Sequence, residues 1–183
     1  MSKIVIITGH PGTGKTHFLS ELRKHIQLPV ISKDEIKEKI GDGLTSITLD
    51  LSQELGKSAF LLVQHFLTQL LQVDANFIVE GPLKSSFESS PMKELYKKYK
   101  PDIIQILTKS SAETIKNRFE HRKSTRHKVH MDNAREPMVS TESLDEFQFL
   151  EVPSVKIKID TDSIDSELKT KVAIEKVVQF LEN

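Results

Sequence analysis

Apolar residues in this chain fall into short runs separated by stretches of helical spacing, and the first run is the plainest. Ile4-Val5-Ile6-Ile7 is apolar at every position, the pattern of a strand covered on both faces. Shorter runs recur at residues 29–31, 76–80, 102–107 and 154–159. The last alternates Val155, Lys156, Ile157, Lys158, Ile159, and its lysines suit the edge of a sheet. Helical patterns fill the gaps. Leu55, Ala59, Leu62, Val63, Phe66 and Leu70 recur at helical spacing after Asp50 and Gln53, which resemble a capping box. Ser90-Pro91 reads as the N-cap and first residue of a short helix with Leu95 and Tyr99, stopping before Pro101. Ser110 and Glu113 form a second capping box, ahead of Ile115 and Phe119. Leu168, Val172, Ile174, Val178 and Leu181 mark a C-terminal helix.

This alternation predicts an α/β fold with a parallel sheet. The 183 residues suit one domain spanning 1–183, and no repeat or low-complexity linker divides them. Residues 122–139 lack periodicity and are rich in Arg, Lys and His; they read as a mobile segment over a site.

The first run leads directly into Gly9-His10-Pro11-Gly12-Thr13-Gly14-Lys15-Thr16. This is the P-loop spacing in the place where a P-loop must lie, between a buried strand and an amphipathic helix with Phe18, Leu19, Leu22 and Ile26. Gly9, Gly12 and Gly14 allow the backbone to wrap a phosphate with its N–H groups. Lys15 reaches the β- and γ-phosphates, the Thr16 hydroxyl is a Mg²⁺ ligand, and the helix opening near Lys15 turns its positive end to the same anion. Residues 9–17, His17 included, are the expected nucleotide-binding set.

In an open parallel sheet, ligands bind beyond the carboxyl ends of the strands. The second run ends in Ser32-Lys33-Asp34. Asp34 there either accepts a proton from a substrate hydroxyl, or Ser32 or Asp34 caps a helix over residues 35–40. The third run ends in Glu80-Gly81. Glu80 stands where an aspartate usually holds Mg²⁺, or it is a solvated strand end. Arg118 and Arg122 share a helix face and Arg126 follows; arginines of this kind clamp a transferring phosphoryl group, or are simply solvated. His121, His127 and His130 crowd together, but their spacing matches no zinc pattern. Asp160-Thr161-Asp162 either borders the nucleotide base or caps a helix.

Composition narrows the classes. Lys plus Arg and Asp plus Glu each number 26, which argues against a general nucleic-acid or membrane surface. There is no cysteine, so disulfides and thiolate chemistry are excluded. The short first run is neither a signal peptide nor a membrane span. A cytoplasmic protein, monomeric or homodimeric, is expected.

Taken together, the P-loop at 9–16, Ser32-x-Asp34, Glu80 and Arg118-x-x-x-Arg122 resemble the small P-loop kinases of the AAA-domain, kinase-type family, which are similar to zeta toxins, chloramphenicol phosphotransferase and the kinase domain of polynucleotide kinase. Arg126-His127-Lys128-Val129-His130-x-Asp132 is similar to an Arg-His-Pro-Gly-His segment of some members, with Lys128-Val129 in place of Pro-Gly. The resemblance implies a three-layer P-loop NTPase fold, with five parallel strands ordered 2-3-1-4-5, helices on both faces and an Arg-rich lid at about 118–139. It implies ATP and Mg²⁺, Asp34 as acid/base, and Arg118, Arg122 and Arg126 as lid clamps. The expected activity is transfer of the ATP γ-phosphoryl group to a hydroxyl or phosphate of a small molecule or nucleotide. The rival is a regulatory NTPase, which would need a glutamine or acid placed for water; no residue stands out for that role.

Overall fold

The computed structural model describes residues 1–131 and 139–183, and, within the latter, the backbone alone at 141 and 142. Five strands form one parallel sheet: β1 (Lys3–Thr8), β2 (Val30–Ser32), β3 (Phe77–Glu80), β4 (Asp102–Lys109) and β5 (Val155–Asp160). Their order is β2-β3-β1-β4-β5, as the resemblance implies. The helices are α1 (Lys15–Leu22), α2 (Lys33–Asp42), α3 (Leu49–Gln72), α4 (Ser85–Tyr99), α5 (Ala112–Arg122), α6 (Thr141–Asp145) and α7 (Ser166–Glu182), with a 3₁₀ turn at Lys128–His130.

The alternation of a strand divides the core in two. Ile4 and Ile6 of β1 join Phe77, Val79 and Ile103 beneath α3 and α4. Val5 and Ile7 point the other way, onto Phe18, Leu19 and Leu22 of α1 and Ala173, Ile174 and Val177 of α7. Each such side chain, fully buried, contributes about 1.5–3 kcal/mol. β1 therefore has both faces and both edges occupied, and the loop leaving it is held from every side.

Several helix boundaries differ from the sequence reading. α3 starts earlier than Asp50: Thr48 is the N-cap, its hydroxyl accepting from Leu51 N at 3.2 Å. Its buried stripe is Leu55, Ala59, Val63, Leu67 and Leu71, so Leu62 and Phe66 face outward. α4 does not begin at Ser90-Pro91. It begins at Ser85 and carries Pro91 inside; burial of Glu88, Ser89 and Met92 on its inner face outweighs the one N–H that proline withholds. Ser111, not Ser110, caps α5, accepting from Thr114 N at 3.2 Å; Ser110 is engaged by Arg118 instead. In α7, Leu168 and Val172 are exposed, because Ala173, Ile174 and Val177 make the inner face.

Candidate active site

The P-loop folds as its glycines require. Gly9, Gly12 and Gly14 have φ of 149°, 91° and 92°, values that L side chains avoid. Gly9 also has no room for a Cβ, which would lie 2.7 Å from Thr13 Oγ1. Thr13 tethers the loop: its hydroxyl donates to His10 O at 2.8 Å and lies 2.7 Å from Thr108 Oγ1 of β4. Lys15 lies across the loop and donates from Nζ to Gly9 O at 3.1 Å and His10 O at 3.2 Å. Burial lowers its pKa, while Glu80 and Asp34 pull it back up. Thr16 is exposed in the first turn of α1. A glycine-rich loop leading into a helix N-terminus is a shape that suits an anion.

The His10 side chain turns behind the loop. Its Nδ1 is 2.7 Å from Pro11 O, and its ring meets Phe147 edge-on at 5.2 Å. Burial lowers its pKa. Any contribution of His10 to a phosphate thus comes from its backbone.

At the end of β2, Ser32 does two jobs. Its hydroxyl caps α2, accepting from Glu35 N at 3.3 Å, and donates to Glu80 Oε2 at 2.9 Å. Ser32 is therefore the cap, and Asp34 lies inside the first turn of α2. Glu80 is 4 % exposed, not a solvated strand end. Burial raises its pKa, while Lys15 and the Ser32 hydroxyl oppose that rise. An oxygen-donor pair of Thr16 and Glu80 beside a phosphate cradle suits Mg²⁺, a hard cation.

The three arginines separate. Arg118 Nη1 donates to Gly12 O at 3.0 Å, Ser110 Oγ at 2.9 Å and Thr161 Oγ1 at 3.0 Å. It ties the P-loop to the ends of β4 and β5. Arg122 lies over the Phe119 ring at 4.2 Å. Arg126 reaches Asp34 Oδ2 at 3.8 Å. One cavity of about 1440 Å³ takes in Gly12, Gly14, Lys15, Thr16, His17, Asp34, Glu80 and all three arginines.

Sequence reasoning missed how the segment after α5 is seated. Val129 is fully buried and packs against Gly41 of α2, where a Cβ would come within 2.8 Å of Val129 Cγ2. Ser52 Oγ donates to Val129 O at 2.6 Å. His127 Nε2 meets Asp42 Oδ1 at 2.9 Å, and its Nδ1 accepts from Val129 N at 3.1 Å. His130 Nε2 meets Glu38 Oε1 at 2.8 Å. With Arg126 on Asp34, residues 126–130 answer three acids of α2. The signal was visible: Asp34, Glu38 and Asp42 are four apart and share a helix face. His121 is exposed. Asp132 lies outside the described residues, as does the rest of 132–138. No group of three metal-ligating side chains occurs among the described residues, nor is any helix there long and apolar enough to cross a membrane.

Comparison with known proteins gives a family and a fold. A family profile described as AAA domain matches residues 4–143. A candidate kinase from Chloroflexus aurantiacus aligns with a TM-score of 0.82 and 25% identity, over 97% of each chain. The tunicamycin resistance protein of Deinococcus radiodurans aligns with a TM-score of 0.56 and 15% identity, over 97% of this chain and 96% of that one. Shikimate kinase from Bacteroides thetaiotaomicron aligns with a TM-score of 0.54 and 15% identity, over 98% of each. No curated protein matches significantly by sequence.

Proposed function

The chain belongs to the AAA-domain family, and from that premise we propose that it is a kinase that moves the γ-phosphoryl group of ATP to a hydroxyl-bearing small molecule. The observation that carries the reading is the shared cavity. It brings Gly12, Gly14, Lys15 and Thr16 of the P-loop together with Asp34, Arg122 and Arg126. The kinase fold of the Chloroflexus protein supports it.

In this reading the backbone N–H groups of the P-loop and Lys15 bind the β- and γ-phosphates. Thr16 and Glu80 would hold Mg²⁺, which would neutralise charge developing on the phosphates. Asp34 takes the proton of the acceptor hydroxyl. The hydroxyl oxygen forms the new P–O bond as the bond between the γ-phosphorus and its bridging oxygen breaks, and ADP leaves with that electron pair. Arg122 and Arg126 stabilise the charge that spreads over the transferring oxygens. Arg118 belongs to a different task, holding Gly12 and Thr161 together at the nucleotide side.

Asp34→Asn tests the mechanism directly. It preserves size and leaves the helix cap to Ser32. ATP·Mg²⁺ affinity, by calorimetry, is expected to hold. Transfer at saturating substrate is expected to fall by roughly 10²–10⁴, the weight of general acid–base catalysis. A variant within about threefold of wild type, far short of that range, removes Asp34 from the chemistry.

A further inference from the structure

We infer that the acceptor is an alcohol carrying a second hydrogen-bond donor, an amine or further hydroxyl, and that Glu38 binds that donor. The inference rests on the kinase reading and adds the acceptor's chemistry to it. Asp34 and Glu38 both line the cavity. They stand four residues apart on α2, a rise of about 6 Å along the helix. Asp34 lies in the first turn of α2, which follows Ser32 and so opens beside Glu80. Glu38 lies one turn farther out along the same wall. An acceptor that presents its reacting hydroxyl to Asp34 therefore presents its next substituents to Glu38.

Glu38 is held for this purpose by His130, whose Nε2–H donates to Oε1 at 2.8 Å. The His130 side chain is only 7% exposed. Burial, with Arg126 close by, keeps its pKa below the ordinary value, although Asp34 and Glu38 pull the other way. The ring is thus neutral at neutral pH, and it meets Glu38 as a hydrogen-bond donor. Asp34 differs, with the Arg126 guanidinium 3.8 Å away. Glu35 also lines the cavity, so beside the Glu38 carboxylate an anionic substituent meets like charge, whereas an ammonium or hydroxyl meets an acceptor oxygen. The segment does not depend on this pair alone for its seat. Val129 against Gly41 and the Ser52 bond to Val129 O hold it as well.

The test uses the full chain with radiolabelled ATP·Mg²⁺. Acceptors are supplied as matched sets: amino alcohols and polyols against hydroxy acids and phosphate monoesters. Transfer is expected to the first set. Glu38→Gln, which keeps the His130 contact, is expected to lower kcat/KM for the amino alcohol by about 10- to 100-fold, the weight of a hydrogen bond to a charged group. The loss should lie in the acceptor KM, with the KM for ATP unmoved. Glu38→Lys is expected to turn preference toward the hydroxy acids. Wild-type transfer to hydroxy acids or phosphate monoesters alone overturns this inference and leaves the kinase reading standing. Unchanged acceptor kinetics in Glu38→Gln also overturn it. Failure to bind ATP·Mg²⁺ in calorimetry overturns the kinase reading, and this inference with it.

Discussion

Arg118 and Arg122 sit one turn apart on α5, yet their partners assign them different work. Arg118 is spent on Gly12 O, Ser110 and Thr161. Arg122, braced on Phe119, lies close enough to Lys15 to depress its pKa further. Arg118→Ala is expected to weaken ATP binding and lower the melting temperature, since it unties the P-loop. Arg122→Ala is expected to lower kcat by up to about 10³–10⁵, the top of the range for such arginines, with little loss of ATP affinity. Separate measurement of kcat and of Kd for ATP distinguishes them; a pure affinity loss in Arg122→Ala places it on the bound nucleotide instead. His130 adds a pH signature. Its folded pKa is lowered by burial, so its contribution to stability is complete above its unfolded pKa of about 6.5 and is lost as pH falls through the folded value. The stability difference between wild type and His130→Asn should narrow as the solution is acidified below about pH 6.5, as read by urea melts at several pH values. A gap that widens instead shows His130 to be charged in the fold.

At the scale of the element, the contact between α2 and the 3₁₀ turn is a knob in a hole. Gly41→Ala would gain roughly 0.5–1 kcal/mol of helix propensity, but its Cβ lies 2.8 Å from Val129 Cγ2, and overpacking costs about 1–3 kcal/mol. The net expectation is a destabilised chain with lower transfer activity, because Arg126 is carried on the displaced segment. In Gly41→Ala/Val129→Ala the two changes should compensate in part, giving a double-mutant cycle with favourable coupling; additive effects in denaturant melts would mean that the seat is not formed. This scale also shows how far the sequence could be read. β1 and the P-loop were legible because each residue's reason is local: an apolar run, glycines for the turn, Lys15 and Thr16 for the phosphate. Asp34 and Glu80 were legible as strand-end acids. Pro91 misled because only the buried face of α4, a tertiary fact, outweighs its missing N–H. Phe66 misled because an apolar residue at helical spacing does not say which stripe of α3 meets the sheet. The role of Ser32 toward Glu80, the tether of Arg118, and Val129 against Gly41 join residues separated by tens of positions, and nothing local announces such pairs.

Across the whole molecule, the carboxyl ends of the strands converge on one cavity: β1 brings the P-loop, β2 leads into Asp34, β3 ends at Glu80, and Thr161 follows β5. A ligand there touches most of the sheet at once, so its binding is felt as global stability. ATP·Mg²⁺ at 100 times its Kd is expected to add about 2.7 kcal/mol, seen as a raised melting temperature that Lys15→Ala abolishes. A shift that survives Lys15→Ala would put the nucleotide elsewhere.

The central place of β1 bears on how the chain is made. Ile4 pairs with Phe77 on one side and Ile103 on the other, so β1 is synthesised well before either of the strands it lies between. At about 5–20 residues per second, the apolar Ile4–Ile7 run waits several seconds for β3 and longer for β4. During that interval it is a sticky, unpartnered segment on a tethered nascent chain. The same register that buries the phosphate loop so firmly in the finished protein makes the interval between synthesis of β1 and of β4 a moment at which a chaperone matters.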